Sequence, residues 1–168
     1  QGSVYGTWQK VYSTTLDAAA TSVTISGLNG NTDVMYRLKV RQVGNVPSAR
    51  THIRLNNDTG TNYGHQWING SGASVTASRD TATTMAMGLA ASGDVSYNTA
   101  FLYVKSGYIR TTLLEYADQI TGTTINAIFL RGNSWNNTAD NITSIVVLSD
   151  VASGLGVGTF IYLERLNL

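Results

Sequence analysis

The chain has 168 residues, no cysteine and a formal net charge of +1. Only 12% of its residues are charged and 42% are hydrophobic, so enough apolar surface exists to offset chain entropy, and intrinsic disorder is excluded. The small net charge excludes a strong overall attraction to nucleic acid, and the missing cysteines exclude disulfides, a thiol nucleophile and a thiolate metal site.

Segments with period-2 alternation or β-branched residues follow one another along the chain, separated by turns rich in glycine and asparagine. The predicted strands are Trp8–Ser13, Ser22–Ser26, Val34–Val43, Arg50–Asn56, Asn62–Ile68, a short strand near Val75, Thr84–Leu89, Ala100–Lys105, Tyr108–Tyr116, Thr124–Leu130, Ile142–Leu148 and Thr159–Arg165. Leu113–Ile120 has helical spacing but overlaps a predicted strand, so we expect a strand followed by a turn.

The spacing of these segments indicates the fold class. Roughly ten short strands with turns every 8–12 residues are typical of a two-sheet β-sandwich or jelly roll. We therefore expect an all-β, antiparallel, jelly-roll-like sandwich that forms a single domain over residues 1–168. No apolar run approaches the roughly 20 residues that would cross a bilayer, so we expect no membrane insertion. The start at Gln1 rather than Met suggests processing or excision from a longer protein.

Two of the predicted strands concentrate positive charge on one side. In each strand, cationic or histidine side chains alternate with residues suited to a core, and we expect them to share one solvent-facing sheet surface. This surface could bind an anion, dock on an acidic protein surface, or simply be solvated. It lacks aromatic residues for stacking on bases, which argues against nucleic-acid binding. The candidate docking residues are Arg37, Lys39, Arg41, Arg50, His52 and Arg54.

The sequence offers no set of catalytic residues. The ten acidic residues are scattered, which disfavours a carboxylate pair. No Gly-x-Ser-x-Gly sequence is present. The only histidines, His52 and His65, lack a third metal ligand at a familiar spacing, and we interpret both as surface residues. We therefore expect no enzyme activity, no metal and no cofactor.

Three aromatic residues suggest a carbohydrate site. Trp67 and Trp135 stand beside amide and small residues in or near loops, and Tyr63 lies on the same predicted strand as Trp67. Sugars stack on exposed aromatic faces that are bordered by amides. The competing interpretation is that each tryptophan closes one end of the core and donates a hydrogen bond from its indole N–H to a nearby group.

Several segments, taken together from residue 25 onward, resemble structural proteins of tailed bacteriophages. The resemblance rests on the order and spacing of the segments Ile25–Asp33 with Tyr36–Leu38, Ile53–Gly64, Lys105–Thr111, Ser134–Ser144 and Gly154–Leu163. It implies a capsid decoration protein or an accessory domain of a tail or fibre.

The resemblance also implies a location and partners. We expect a non-enzymatic protein on the virion surface that contacts capsid or tail proteins and assembles as a homo-oligomer, with a trimer as one option. The alternative, from a different functional class, is a carbohydrate-binding module that recognises cell-surface glycans through Tyr63, Trp67 and Trp135.

Overall fold

A computed structural model describes residues 6–167 of the chain, so the expectation about Gln1 lies outside the described residues. These residues form twelve strands and one helical turn. The elements are β1 (Thr7–Thr15), β2 (Ser22–Ser26), α1 (Gly30–Asp33), β3 (Met35–Val43), β4 (Ala49–Leu55), β5 (Tyr63–Ser71), β6 (Ser74–Ala82), β7 (Met85–Ala90), β8 (Val95–Tyr103), β9 (Arg110–Thr121), β10 (Thr124–Trp135), β11 (Ser144–Ser149) and β12 (Phe160–Asn167).

The strands form two antiparallel sheets, which confirms the predicted sandwich. The larger sheet has the order β1-β12-β3-β8-β9-β10-β5-β6, and the smaller has the order β2-β11-β4-β7. Four antiparallel pairs, β1 with β12, β2 with β11, β3 with β8 and β4 with β7, run inward from the ends of the chain. This nested pairing is that of a jelly roll, in which a long hairpin is wrapped into two facing sheets.

Two additional hairpins interrupt the jelly roll. The β5–β6 hairpin lies between β4 and β7 in sequence, and the β9–β10 hairpin lies between β8 and β11. Both hairpins extend the larger sheet beyond β8, whereas the smaller sheet ends at β7. We call the other eight strands the jelly-roll body and strands β5, β6, β9 and β10 the overhang. The inner face of the overhang therefore extends past the edge of the smaller sheet.

One hydrophobic core lies between the sheets. Alternate residues of β3 and β4 point into it, among them Leu38 and Val40 from the larger sheet and Ile53 and Leu55 from the smaller. The strand period of two places these side chains on the inner face and their charged neighbours on the outer face. The alternation in the sequence thus correctly predicted which side chains are buried.

Several predicted elements differ from the observed ones in length. The short strand predicted near Val75 is the nine-residue edge strand β6, and the strand predicted to end at Leu130 continues to Trp135. The segment Leu113–Ile120 lies within strand β9, so it is not helical, but the turn expected after Tyr116 is wrong because the strand continues to Thr121. Every residue of β6 except the last, Ala82, is exposed. A strand without a buried face leaves no alternation of hydrophobic and polar residues in the sequence.

The prediction of one basic surface is wrong. Strand β3 lies between β12 and β8 in the larger sheet, whereas β4 lies between β11 and β7 in the smaller sheet. Both strands point their charged side chains outward, which places the two groups on opposite faces of the sandwich. Period-2 alternation identifies which side of a strand is buried but does not identify the sheet to which the strand belongs. The separated groups are Arg37, Lys39 and Arg41 on β3, and Arg50, His52 and Arg54 on β4.

A candidate ligand cleft

The inner face of the overhang and the edge of the smaller sheet enclose a cleft of about 500 Å³. Small-molecule sites in proteins commonly have volumes of about 300–1,000 Å³. The overhang contributes the aromatic and charged floor of this cleft, and β4 with β7 contributes the wall. The residues that line the cleft include Arg50, His52, Trp67, Asn69, Asp80 and Arg131.

Arg131 occupies the floor of the cleft between two aromatic rings. Its guanidinium carbon lies 5.0 Å from the ring centroid of Trp67 and 5.4 Å from that of Phe129. Trp67 is the cross-strand neighbour of Arg131, which explains the first contact. Cation–π contacts with two rings restrict the guanidinium and strengthen as the site is desolvated.

The N–H groups of Arg131 have no acceptor among the described residues. Its Nε is buried without a hydrogen-bond partner, and neither Nη donates a hydrogen bond or enters an ion pair within residues 6–167. Burial lowers the pKa of Arg131, while the charge of nearby Asp80 acts in the opposite direction. Arg131 is partly buried, and leaving its buried Nε without an acceptor costs stability, which is a reason to look for a ligand at this position.

Both histidines line this cleft, His52 on the wall and His65 on the floor, so their interpretation as surface residues is wrong. His65 is 5% exposed, and its Nδ1 lies 2.9 Å from Oδ1 of Asp80. Thr84 bridges the two rings, because its hydroxyl lies 2.8 Å from Nδ1 of His52 and its carbonyl oxygen lies 2.6 Å from Nε2 of His65. Burial is the main cause that lowers the pKa of His52 to about 4.

Further polar atoms in this region are buried without partners. Nε2 of His52 and Oδ1 of Asn69 are both cleft-lining examples. Asn133, which follows Arg131 on the inner face of β10, leaves both polar atoms of its side chain unpaired. Most buried polar atoms in folded proteins are hydrogen-bonded, so these four unpaired atoms in three residues mark this region as unusual.

The predicted aromatic platform is divided between the cleft and the core. Trp67 is half-buried and lines the cleft. Trp135 is 1% exposed, stacks on the buried ring of Tyr63 with centroids 6.4 Å apart, and donates its indole N–H to Oδ2 of Asp58 at 2.7 Å. A shared platform of Tyr63, Trp67 and Trp135 is therefore wrong. For Trp135, the competing interpretation of a core plug with a local hydrogen bond describes the observed contacts.

The basic residues of β3 are largely neutralised on the outer face of the larger sheet. Arg37 Nε and Lys39 Nζ lie 2.6 Å and 3.3 Å from Oε2 of Glu164, which comes from the adjacent strand β12. Burial would raise the pKa of Glu164, but the hydrogen bonds from Arg37 and Lys39 outweigh it and the pKa is lowered. Arg41 remains exposed.

The basic residues of β4 are placed differently. Arg50 and His52 line the cleft. Nη1 of Arg50 lies 3.8 Å from Oδ2 of Asp150. Arg54 donates from Nε to the carbonyl oxygen of Thr83 at 3.3 Å. The role of the six residues in docking stays a prediction, but they do not form a common surface.

Asn69, Phe129 and Arg131 line the cleft but were not predicted as site residues. A signal for Arg131 was available, because it shares the inward side of β10 with Ala127 and Trp135, where an arginine is unusual. That signal required the strand to be extended beyond Leu130. The sequence pattern carries no information on the proximity of Arg131 to β4 and β7, because that proximity depends on the order of strands in the sheets.

Within residues 6–167, no cluster of three or more histidine or acidic residues is arranged to hold a metal ion. In the same part of the chain, no helix has the length and hydrophobicity required to span a membrane.

Comparison with known proteins gives no identification. The chain matches no protein-family model and no curated protein. Among solved structures, a chain described as "Putative pore-forming toxin" from Bacteroides vulgatus ATCC 8482 aligns with 13% identity and a TM-score of 0.14. The alignment covers 94% of this chain and 61% of that chain. A TM-score this low supports no conclusion about fold or function.

Proposed function

We propose that this protein is a non-enzymatic recognition domain that binds carbohydrate in the cleft between the overhang and β7. The observation that carries the proposal is the aromatic floor at Trp67, surrounded by side-chain polar atoms that lack partners. A sugar ring combines an apolar face, which packs on an aromatic ring, with hydroxyl groups that pair with amide and imidazole groups.

The surroundings of Trp67 leave room for such a ligand. Arg131 stands beside the indole on β10, and Ser78 is its cross-strand neighbour on β6. A serine side chain is too short to cover an indole ring, and Ser78 is itself exposed. The side of Trp67 that faces β6 can therefore accept a sugar ring while Arg131 holds the other side in place.

The proposal is tested by glycan-array binding of the purified chain and of two variants. Trp67→Ala is expected to lose binding to every glycan that the parent protein recognises, and Trp8→Ala is the matched control because Trp8 lies on the outer side of the body, stacked under Arg37. If Trp67→Ala retains binding, or the folded parent protein recognises no glycan, the proposal is wrong. Circular dichroism establishes that each variant is folded.

A second candidate function is a structural component of a phage particle, as the resemblance in the sequence implies. The observation that favours it is the outer face of the overhang, where apolar side chains are about half exposed or more. These residues are Ile68, Val75, Leu113, Ile128 and Leu130. Contiguous exposed apolar surface is typical of protein–protein contacts. The two functions are compatible, because a particle protein can carry a glycan site on another face.

For this second candidate, the occupant of the outer face would be another copy of the chain, in line with the expected homo-oligomer. Sedimentation velocity is expected to show an oligomer that dissociates in the Ile128→Lys variant, since a charge in the centre of the apolar surface would be desolvated on association. A control is Arg79→Gln, which changes an exposed residue of the edge strand β6. A monomeric parent protein would argue against self-association through this face.

A further inference from the structure

We infer that the carbohydrate bound in the cleft is acidic and that the guanidinium of Arg131 pairs with its carboxylate. This inference rests on the proposed carbohydrate-binding function and names the class of sugar. Uronic acids and sialic acids are common saccharides that carry a carboxylate.

The geometry around the Arg131 guanidinium supports this inference first. The rings of Trp67 and Phe129 contact the guanidinium of Arg131. The N–H donors of this guanidinium have no acceptor among residues 6–167. A guanidinium presents a planar fork of donors, and its best-matched planar acceptor is a carboxylate bound through two oxygens. Because contacts with the two rings restrict the guanidinium, less side-chain freedom is lost on binding.

The second argument is the charge of the cleft. Among the lining residues, Arg50 is already close to Asp150, and Asp80 adds one negative charge beside His65. Arg131 is then the one lining cation without an acidic partner in the described part of the chain. Because Asp80 lies close enough to act on Arg131, a monovalent carboxylate meets less repulsion in the cleft than a divalent phosphate does.

The remaining polar groups of the cleft indicate that the ligand also carries hydroxyl groups. The unpaired Oδ1 of Asn69 is an acceptor that requires a donor, and a carboxylate alone offers none. Hydroxyl groups supply such donors. His52 adds an imidazole to the opposite wall. A molecule that carries both a carboxylate and several hydroxyl groups satisfies more of these atoms than a simple carboxylic acid or a neutral sugar does.

The test compares matched polysaccharides by isothermal titration calorimetry. The probes are oligogalacturonate, its fully methyl-esterified form, hyaluronan oligosaccharide, a dextran sulfate oligosaccharide as a sulfated probe without carboxylates, and a neutral dextran oligosaccharide. We expect the parent protein to bind at least one carboxylated probe ten-fold or more tightly than the esterified and neutral probes. Arg131→Gln is expected to abolish this preference. Arg79→Gln removes a positive charge from the outward side of the same edge of the sheet and is expected to bind like the parent protein.

The outcomes separate the inference from the proposed function. Equal binding of carboxylated and neutral probes, or a preference unchanged in Arg131→Gln, would overturn the inference and leave carbohydrate binding intact. Tighter binding of the sulfated probe than of any carboxylated one would also overturn it. Absence of binding to all probes would count against the proposed function itself. Arg131→Lys is a second variant that keeps the charge but not the planar fork, and we expect it to lose at least ten-fold in affinity for the carboxylated probe.

Discussion

The jelly-roll body and the overhang differ in how their charged side chains are partnered. In the body, Arg37 and Lys39 share the carboxylate of Glu164, and Thr51 donates its hydroxyl hydrogen bond to the amide of Gln42 at 2.5 Å. In the overhang, Arg131 and Asn133 hold buried polar atoms that have no partner. Unpaired buried polar atoms also occur in the body, at Oδ1 of Asn98 and Nε2 of His52, so the difference lies in the charged side chains: Arg37 and Lys39 have an acidic partner, and Arg131 has none within 4 Å in the described residues.

This difference suggests a division of labour between the two regions. The eight strands of the body close a jelly roll and bury a continuous core. The two additional hairpins add surface that the smaller sheet does not cover, and that surface forms the floor of the cleft. Unsatisfied polar groups are retained in native proteins most readily where a ligand satisfies them. Each prediction below compares a residue of the body or core with one of the cleft.

The largest expected effect distinguishes the two tryptophans of β5 and β10. Trp135→Ala removes a fully buried ring that stacks on Tyr63, so we expect the free energy of unfolding to fall by about 3–5 kcal/mol. Trp67→Ala removes a half-buried ring at the cleft, and we expect a loss of about 1 kcal/mol. Urea denaturation of both variants measures this difference. Equal losses would contradict the assignment of one ring to the core and the other to the cleft.

The next effect is a pH dependence that originates at His52. The pKa of His52 is about 4 in the folded protein and about 6.5 in an unfolded chain. Between these values the unfolded state binds the additional proton, so stability falls as the pH decreases from about 6.5 to about 4. The full loss is about 3 kcal/mol at about 1.4 kcal/mol per pKa unit.

Urea denaturation at several pH values, with His52→Gln as the comparison, measures this contribution. We expect the variant to lose most of the dependence within that window. Glu164 serves as the contrast from the body, because its lowered pKa makes its stabilisation disappear only as the pH falls below about 4.5. Identical slopes for the parent protein and His52→Gln between pH 6.5 and 4.5 would contradict this account.

Glu164→Gln tests the partnered charges of the body. The substitution leaves Arg37 and Lys39 without their shared carboxylate, and hydrogen bonds to charged groups contribute more than neutral ones. We expect a destabilisation of about 1.5 kcal/mol, measured by urea denaturation at pH 7. A variant as stable as the parent protein would show that this ion pair contributes nothing measurable.

Arg131→Met gives the matching test in the cleft, with the opposite sign. Methionine keeps contact with Trp67 and Phe129 but removes the unpaired guanidinium, so we expect stability to rise by about 1 kcal/mol. Thermal or urea denaturation in the absence of ligand measures the change. A destabilisation comparable to that of Glu164→Gln would mean that Arg131 has a structural role and that the contrast between the two regions is wrong.

The sequence predicted the body better than the overhang, for identifiable reasons. Alternation along β3 and β4 correctly assigned Leu38 and Ile53 to the core, because burial on one face leaves a period-2 pattern. It could not assign these strands to different sheets, since strand order depends on contacts between distant segments. The exposed strand β6 carries no such pattern, and its length was underestimated.

The candidate site was predicted only in part. Trp67 was identified from its amide-rich surroundings, but Trp135 has a similar neighbourhood and lies in the core. Arg131 was missed, because its place in the cleft depends on Trp67 beside it and on the edge of the smaller sheet opposite. Local composition reports neither of these contacts. Both arise when the two inserted hairpins add to the same edge of the larger sheet.

The central claim is that the cleft binds a ligand, and the three tryptophans provide a direct test. Trp8 lies on the outer side of the body, Trp135 in the core and Trp67 in the cleft. Indole ¹H–¹⁵N NMR signals, assigned by substitution, are followed during titration with oligogalacturonate and hyaluronan oligosaccharides. The account predicts a saturable shift of the Trp67 signal while the signals of Trp8 and Trp135 stay in place. A shift confined to Trp8, or no shift of Trp67 at saturating saccharide, would contradict it.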